Sequence, residues 1–378
     1  IQRFAYTQTD DKIYERIGAD MNIDKLSLTV AQTEILYNIE FHKTLNDIQN
    51  TKLPINNEGI KLLKQDWLDE WKEYISKGFS GFMQIEGAEL HWYTEQELIQ
   101  IIEENEPQNT WFRLVLLEAM LFEPYYPLGV GQDKKGNNVP SKKYAQLQIP
   151  LCGYSKGTGD GFLGSFFTDS YYPKGYIKRL RKCFDKIVLE MKEILKGLLI
   201  GGAITAVIAI ITTATAGAFA PAIAVALVGS NFAGLSGAAL TSACLAYLGG
   251  GAIAIGGAGM AGGTITIVGG GAVLGIGAGL GVGGAVGAAG ILGKQNTILQ
   301  SAKLLVSVRE IFLNDEQDVE YSNSIYEQYV QNIMDIEKGI VELRLEADVA
   351  NGKEKKELQG KIKKAEESVE AMKIARKN

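Results

Sequence analysis

Between Gly197 and Gly293 the chain runs for 97 residues without one Asp, Glu, Lys, Arg or His. With 44 acidic and 38 basic residues in 378, average composition would put about 21 charges into that stretch. A hydrocarbon core about 30 Å thick takes about 20 apolar residues at 1.5 Å rise each, so the block supplies two to four helical spans. The segregation therefore predicts a protein that is integral to a lipid bilayer or inserts into one. The opening IQRFAYTQTDDK carries no secretory signal pattern, and a start at Ile rather than Met leaves room for a preceding piece.

Insertion energetics differ along the block. Leu198 to Ala216, LLIGGAITAVIAIITTATA, is rich in Ile and Leu and inserts unaided. Pro221, the block's only proline, marks a break between a first and a second span. From Gly249 to Gly290 large apolar side chains thin out, and glycine adds little transfer energy while exposing backbone, so this part is stable in lipid only when packed. A state that hides it against the amphipathic flanks until a trigger arrives follows as an expectation.

The block holds 27 of the 44 glycines, and its last third spaces them by four: Gly259 and Gly263, then Gly271, Gly275, Gly279, Gly283 and Gly287, with Ile267 interrupting the row. That spacing puts them on one helix face and lets two backbones approach closely, which is how helices gain contact where lipid removes the hydrophobic drive. These seven glycines are the candidate packing and oligomerisation surface. Packing within one monomer without a pore uses the same motif, and Thr264 to Val268 alternates as a strand also would.

The flanks predict a mainly α fold in three parts. Residues 1–196 read as a soluble, mostly helical domain with a turn-rich insertion; 197–293 are the membrane-inserting helices; 294–378 are amphipathic helices ending in a coiled-coil-like hairpin. Helices are expected over Asn22–Gln49, Glu58–Lys77, from a Thr94/Glu97 capping box onward, and over Trp111–Phe122. Pro124 to Lys174 carries turn chemistry. An amphipathic helix, Lys178 to Lys196, leads into the block. Ile298–Leu313, Val319–Ala350 and Glu354–Arg376 follow it, the last two with apolar spacing that predicts an antiparallel pair across Asn351-Gly352.

Lys178, Arg179, Arg181, Lys182 and Lys186 stand just before the block and are the candidate contacts to lipid headgroups. Basic residues on both sides of the block place both flanks in the cytoplasm and predict an even number of spans. The net charge of −6 and the lack of a basic face argue against nucleic acid. Cys152, Cys183 and Cys244 are too scattered for a disulfide framework or zinc site, and His42 and His91 make no HExxH. Gly157 to Gly161, GTGDG, lacks a phosphate-binding lysine, and Cys152 with His91 and Asp160 lacks any signature of a nucleophilic site. The expectation is no enzyme, no cofactor and no metal.

The run GLSGAALTSACLAYLGGGAIAIGGAGMAGGTITIVGGGAVLG, Gly234 to Gly275, resembles the glycine/alanine-rich membrane modules of the interferon-alpha-inducible small hydrophobic protein family. It is also similar to modules attached to soluble domains in bacterial proteins, among them toxin and phage-defence effectors. The resemblance covers about a ninth of the chain and implies a membrane-active module. Together the residues predict a membrane-disrupting or pore-forming effector that assembles as a homo-oligomer, with room for a regulatory protein partner. A membrane-anchored scaffold or sensor without a pore is the alternative.

Overall fold

The computed structural model describes residues 28–83, 89–125, 128, 130–132, 138–140, 142–166, 171–197, 298 and 301–377. The apolar block and its glycine series lie outside the described residues. Among the described residues no helix is long and apolar enough to cross a membrane.

The fold is mainly α. Helix α1 (Val30–Asn50) starts at Thr29, whose hydroxyl accepts from Gln32 N at 3.2 Å while Gln32 Oε1 accepts from Thr29 N at 2.9 Å. Helix α2 (Asn57–Met83) buries Trp67, Trp71, Ile75 and Phe79, a one-face series at helical spacing. The expected Thr94/Glu97 capping box is present in both directions at the start of α3 (Glu95–Glu104), and α4 is Thr110–Leu121. The turn-rich region forms an antiparallel ladder of β1 (Val130–Gln132) and β2 (Asn138–Pro140), with Gly131 opposite Val139. A 3-10 turn over Ala145–Gln148 follows.

Helix α5 (Lys156–Phe166) stands where loop was expected. Its glycines argue for a turn locally, but a Cβ on Gly159 would sit 1.6 Å from the Tyr154 hydroxyl, so tertiary packing sets the residue there. Helix α6 (Tyr176–Gly197) leads to the block. Beyond it, residues 301–306 are α-helical and widen into a π-helix, Ser307–Asp315. Helices α7 (Val319–Val349) and α8 (Gly352–Lys377) form the expected antiparallel pair, turning at Gly352, whose φ of +58° suits glycine. Arg344–Glu366 and Glu337–Lys373, both 2.6 Å, confirm the direction: seven residues back along α7 is seven forward along α8.

Two apolar clusters fill the body. The smaller is aromatic and gathers Tyr37, Trp67, Trp71, Phe122 and Tyr125. The larger joins Ile35 and Phe112 to Leu180, Ile187 and Met191 of α6, and continues through Ile298, Phe312, Ile336 and Val369. Buried residues of 1–196 and of 294–378 thus share one core. Helix α6 and the π-helix both pack against α4, and α8 packs against α6.

Candidate functional site

Residues on the two sides of the apolar block, from α6 and from the π-helix, meet in a cluster of charged side chains. Arg179 on α6 donates from one terminal nitrogen to both carboxylate oxygens of Asp315, at 2.6 and 2.7 Å, and its Nε lies 3.2 Å from Glu310. Glu310 and Asp315 are five residues apart. In an α-helix five steps of 100° would turn them about 140° from each other, whereas i→i+5 bonding stacks them nearly in line. The π-helix is what lets one guanidinium hold both.

Arg113 on α4 reaches the same place, with Nε donating to Glu316 at 2.8 Å and a terminal nitrogen 3.5 Å from Asp315. Its guanidinium stacks on Tyr172 and Tyr176, 4.7 and 5.8 Å from the ring centroids, and the Tyr176 hydroxyl donates to Asp315 at 3.1 Å. Burial, then the Asp315 carboxylate, pushes the Tyr176 phenol up, so it stays a donor. Burial also pushes the Cys183 thiol up to about 11, with Glu310 adding to the shift, which leaves it a neutral thiol.

Beyond the block, Lys303 forms an ion pair with Glu118 of α4, the two side chains only 3% and 2% exposed. Ser301 and Tyr329 share a hydrogen bond of 2.8 Å beside it. Deeper still, Lys43 Nζ donates to the carbonyls of Ala119 and Phe122, the latter at 2.6 Å, closing the C-terminal end of α4. Burial drives the Lys43 ammonium down to about 7. Neither oxygen of the buried Glu40 carboxyl has a hydrogen-bond partner among the described residues, and burial holds its pKa well above the ordinary value.

That orphaned carboxyl predicts a stabilising substitution. Glu40→Met is expected to raise unfolding free energy by about 1–3 kcal/mol, because it removes an unsatisfied buried polar group at similar volume. The sign with pH follows from the raised folded pKa: the unfolded carboxyl ionises at about 4.3 and the folded one only at higher pH, so the wild type loses stability as pH rises above the unfolded value. Denaturant midpoints should already favour Glu40→Met at pH 4, and the gap should widen toward neutral pH.

The basic residues before the block divide in two. Arg181 is turned inward, its Nε and a terminal nitrogen each 2.9 Å from Asp160, and Arg179 is held as described. Both guanidinium groups, of the expected headgroup set, are ion-paired within the body. Lys178, Lys182 and Lys186 are exposed. Their four-residue spacing shares one face of α6, opposite the buried Leu180, Phe184 and Ile187, and this was the signal that separated them from the arginines.

Arg181 and Asp160 also wall a largely apolar cavity of about 280 Å³ between α4, α5 and α6, lined by Leu116, Leu163 and Tyr176. His91 Nδ1 lies 2.9 Å from Glu34, so neither it nor Asp160 is arranged to serve Cys152. No cluster of metal-ligating side chains occurs among the described residues. Family models, curated proteins and solved structures yield no match to this chain. The reading of function therefore rests on the block and on how its ends are held.

Proposed function

We propose that the chain is a membrane-disrupting or pore-forming effector whose flanks form one body that holds a glycine-striped, charge-free insertion by both ends. One observation carries the reading: residues on the two sides of the block are joined by Arg179–Asp315 and share one core in which Lys303–Glu118 is buried. A body that receives both ends keeps them on one side of a bilayer, which favours an even number of crossings and a single compartment for both flanks. Lys178, Lys182 and Lys186 then stand on the exposed face of the helix that enters the block, where an anionic surface adds about 1 kcal/mol per residue. The series from Gly271 to Gly287 supplies the close packing between inserted helices.

The test is membrane potential. In a bacterium expressing the protein from a tight inducible promoter, a voltage-sensitive dye is expected to report depolarisation. Gly279→Val and Gly283→Val, at matched membrane levels, are expected to abolish it. Normal potential with the wild type inserted would instead favour a membrane-anchored scaffold.

A further inference from the structure

Among the described residues, helix α7 carries a second apolar face that stands exposed. Ile333, Ile336 and Ile340 point into the core, while Val341, Leu345 and Val349 are 53%, 65% and 81% exposed, rising toward the turn into α8. Val319, Tyr326 and Met334 extend the stripe at helical spacing along the same side. The stripe is about 45 Å long at 1.5 Å per residue. An exposed apolar strip of that length on a folded protein marks a contact surface.

Charge selects what covers it. Helix α7 has seven acidic and two basic residues, and Glu320, Glu327, Glu342 and Glu346 stand exposed beside the stripe. Helix α8 is the reverse, with nine basic and five acidic residues, and exposes Lys353, Lys356 and Lys363. An acidic border disfavours an anionic bilayer, and it disfavours a second α7 in the same place. Lysine stems, by contrast, lie along apolar surface while their ammonium heads reach outward to carboxylates.

We propose that the α7 stripe docks a second copy of the chain through the lysine face of its α8. The two faces differ, so the contact is head-to-tail and propagates into a ring or an open array rather than stopping at a pair. Helix α8, with 26 residues, is about 39 Å long, so a strip one helix wide, about 10 Å, covers at most about 390 Å² on each copy, below the size of standard specific interfaces and in the range of weak encounters. Association through it is weak and depends on concentration, and joins copies outside any bilayer. The inference goes beyond the membrane reading and does not need the block to insert.

Sedimentation velocity of the full chain in mild detergent, over a concentration series at low salt, tests it. The wild type should show reversible association. Glu342→Lys with Glu346→Lys, or Lys356→Glu with Lys363→Glu, should each weaken it at least about tenfold, and all four changes together should restore it to within about threefold. Leu345→Gln with Val349→Gln, at positions too exposed to disturb folding, should weaken it as well. A wild type that stays monomeric, charge variants that associate unchanged, or a fourfold variant no better than either pair overturns the proposal. So does loss of vesicle binding by the Leu345/Val349 variant with association intact, which would assign the stripe to lipid. Depolarisation is measured separately, so a failure here leaves the membrane reading standing.

Discussion

Lys303→Ala is expected to destabilise the body by about 3–5 kcal/mol, because it strands the Glu118 carboxylate, only 2% exposed, without its cation. Both side chains are almost fully buried, and burial pulls the Lys303 pKa down even with Glu118 beside it. Desolvation opposes the ion pair, and the charges persist only together. At about 2–4 °C per kcal/mol for a body of this size, thermal unfolding should fall by about 10 °C. Lys303→Met with Glu118→Leu removes both charges and should recover most of the loss, which separates an unpaired charge from mere loss of packing. The pair joins α4 to the segment that follows the block, so protection of amide hydrogens in 301–315 should drop more than in α2. An equal drop in both would mean that the two flanks do not open as separate units.

None of that pair was legible in the sequence. Glu118 and Lys303 lie on either side of the apolar block, and periodicity within a helix says nothing about which helix meets it. What could be read was local. The capping box at Thr94/Glu97 is a short-range hydrogen-bond pattern and appears as expected. The antiparallel α7–α8 pair follows from apolar spacing on either side of Asn351-Gly352. The start of α1 at Val30 was hidden because Leu26 and Leu28 continue the apolar pattern, although Thr29 and Gln32 carry the same capping signature as Thr94 and Glu97. Helix α5 was hidden for the opposite reason: Gly157, Gly159, Gly161 and Gly164 depress its intrinsic propensity, and Leu163 and Phe162 hold it only through the core they reach. Arg179 and Arg181 looked like part of a basic surface because their carboxylate partners arise elsewhere in the fold.

Asp47→Ala is expected to be as damaging, by about 3–5 kcal/mol, and for a reason that concerns the turn-rich region rather than the block. Asp47 Oδ2 accepts from Lys64 Nζ at 2.7 Å and from the Tyr125 hydroxyl at 2.8 Å, while Oδ1 accepts from the backbone of Ser155 at 3.0 Å. Lys64 also donates to Thr51 and to the carbonyl of Gly153, both at 2.9 Å, so one buried carboxylate and one buried ammonium join α1, α2 and two separate loops. Tyr125 has φ +72°, a left-handed conformation that a bulky side chain adopts only when its surroundings hold it. Removing the carboxylate leaves the Lys64 charge unpaired, the Ser155 amide unsatisfied and the strained tyrosine without its anchor. Asp47→Asn should recover little, since its amide nitrogen would face donors and the charge on Lys64 would remain. Tyr125→Phe breaks a single hydrogen bond and should cost about 1 kcal/mol. Urea midpoints for the three variants check the order. If Asp47→Asn matched the wild type, the role assigned to the charge would fail, and hydrogen bonding alone would account for the site.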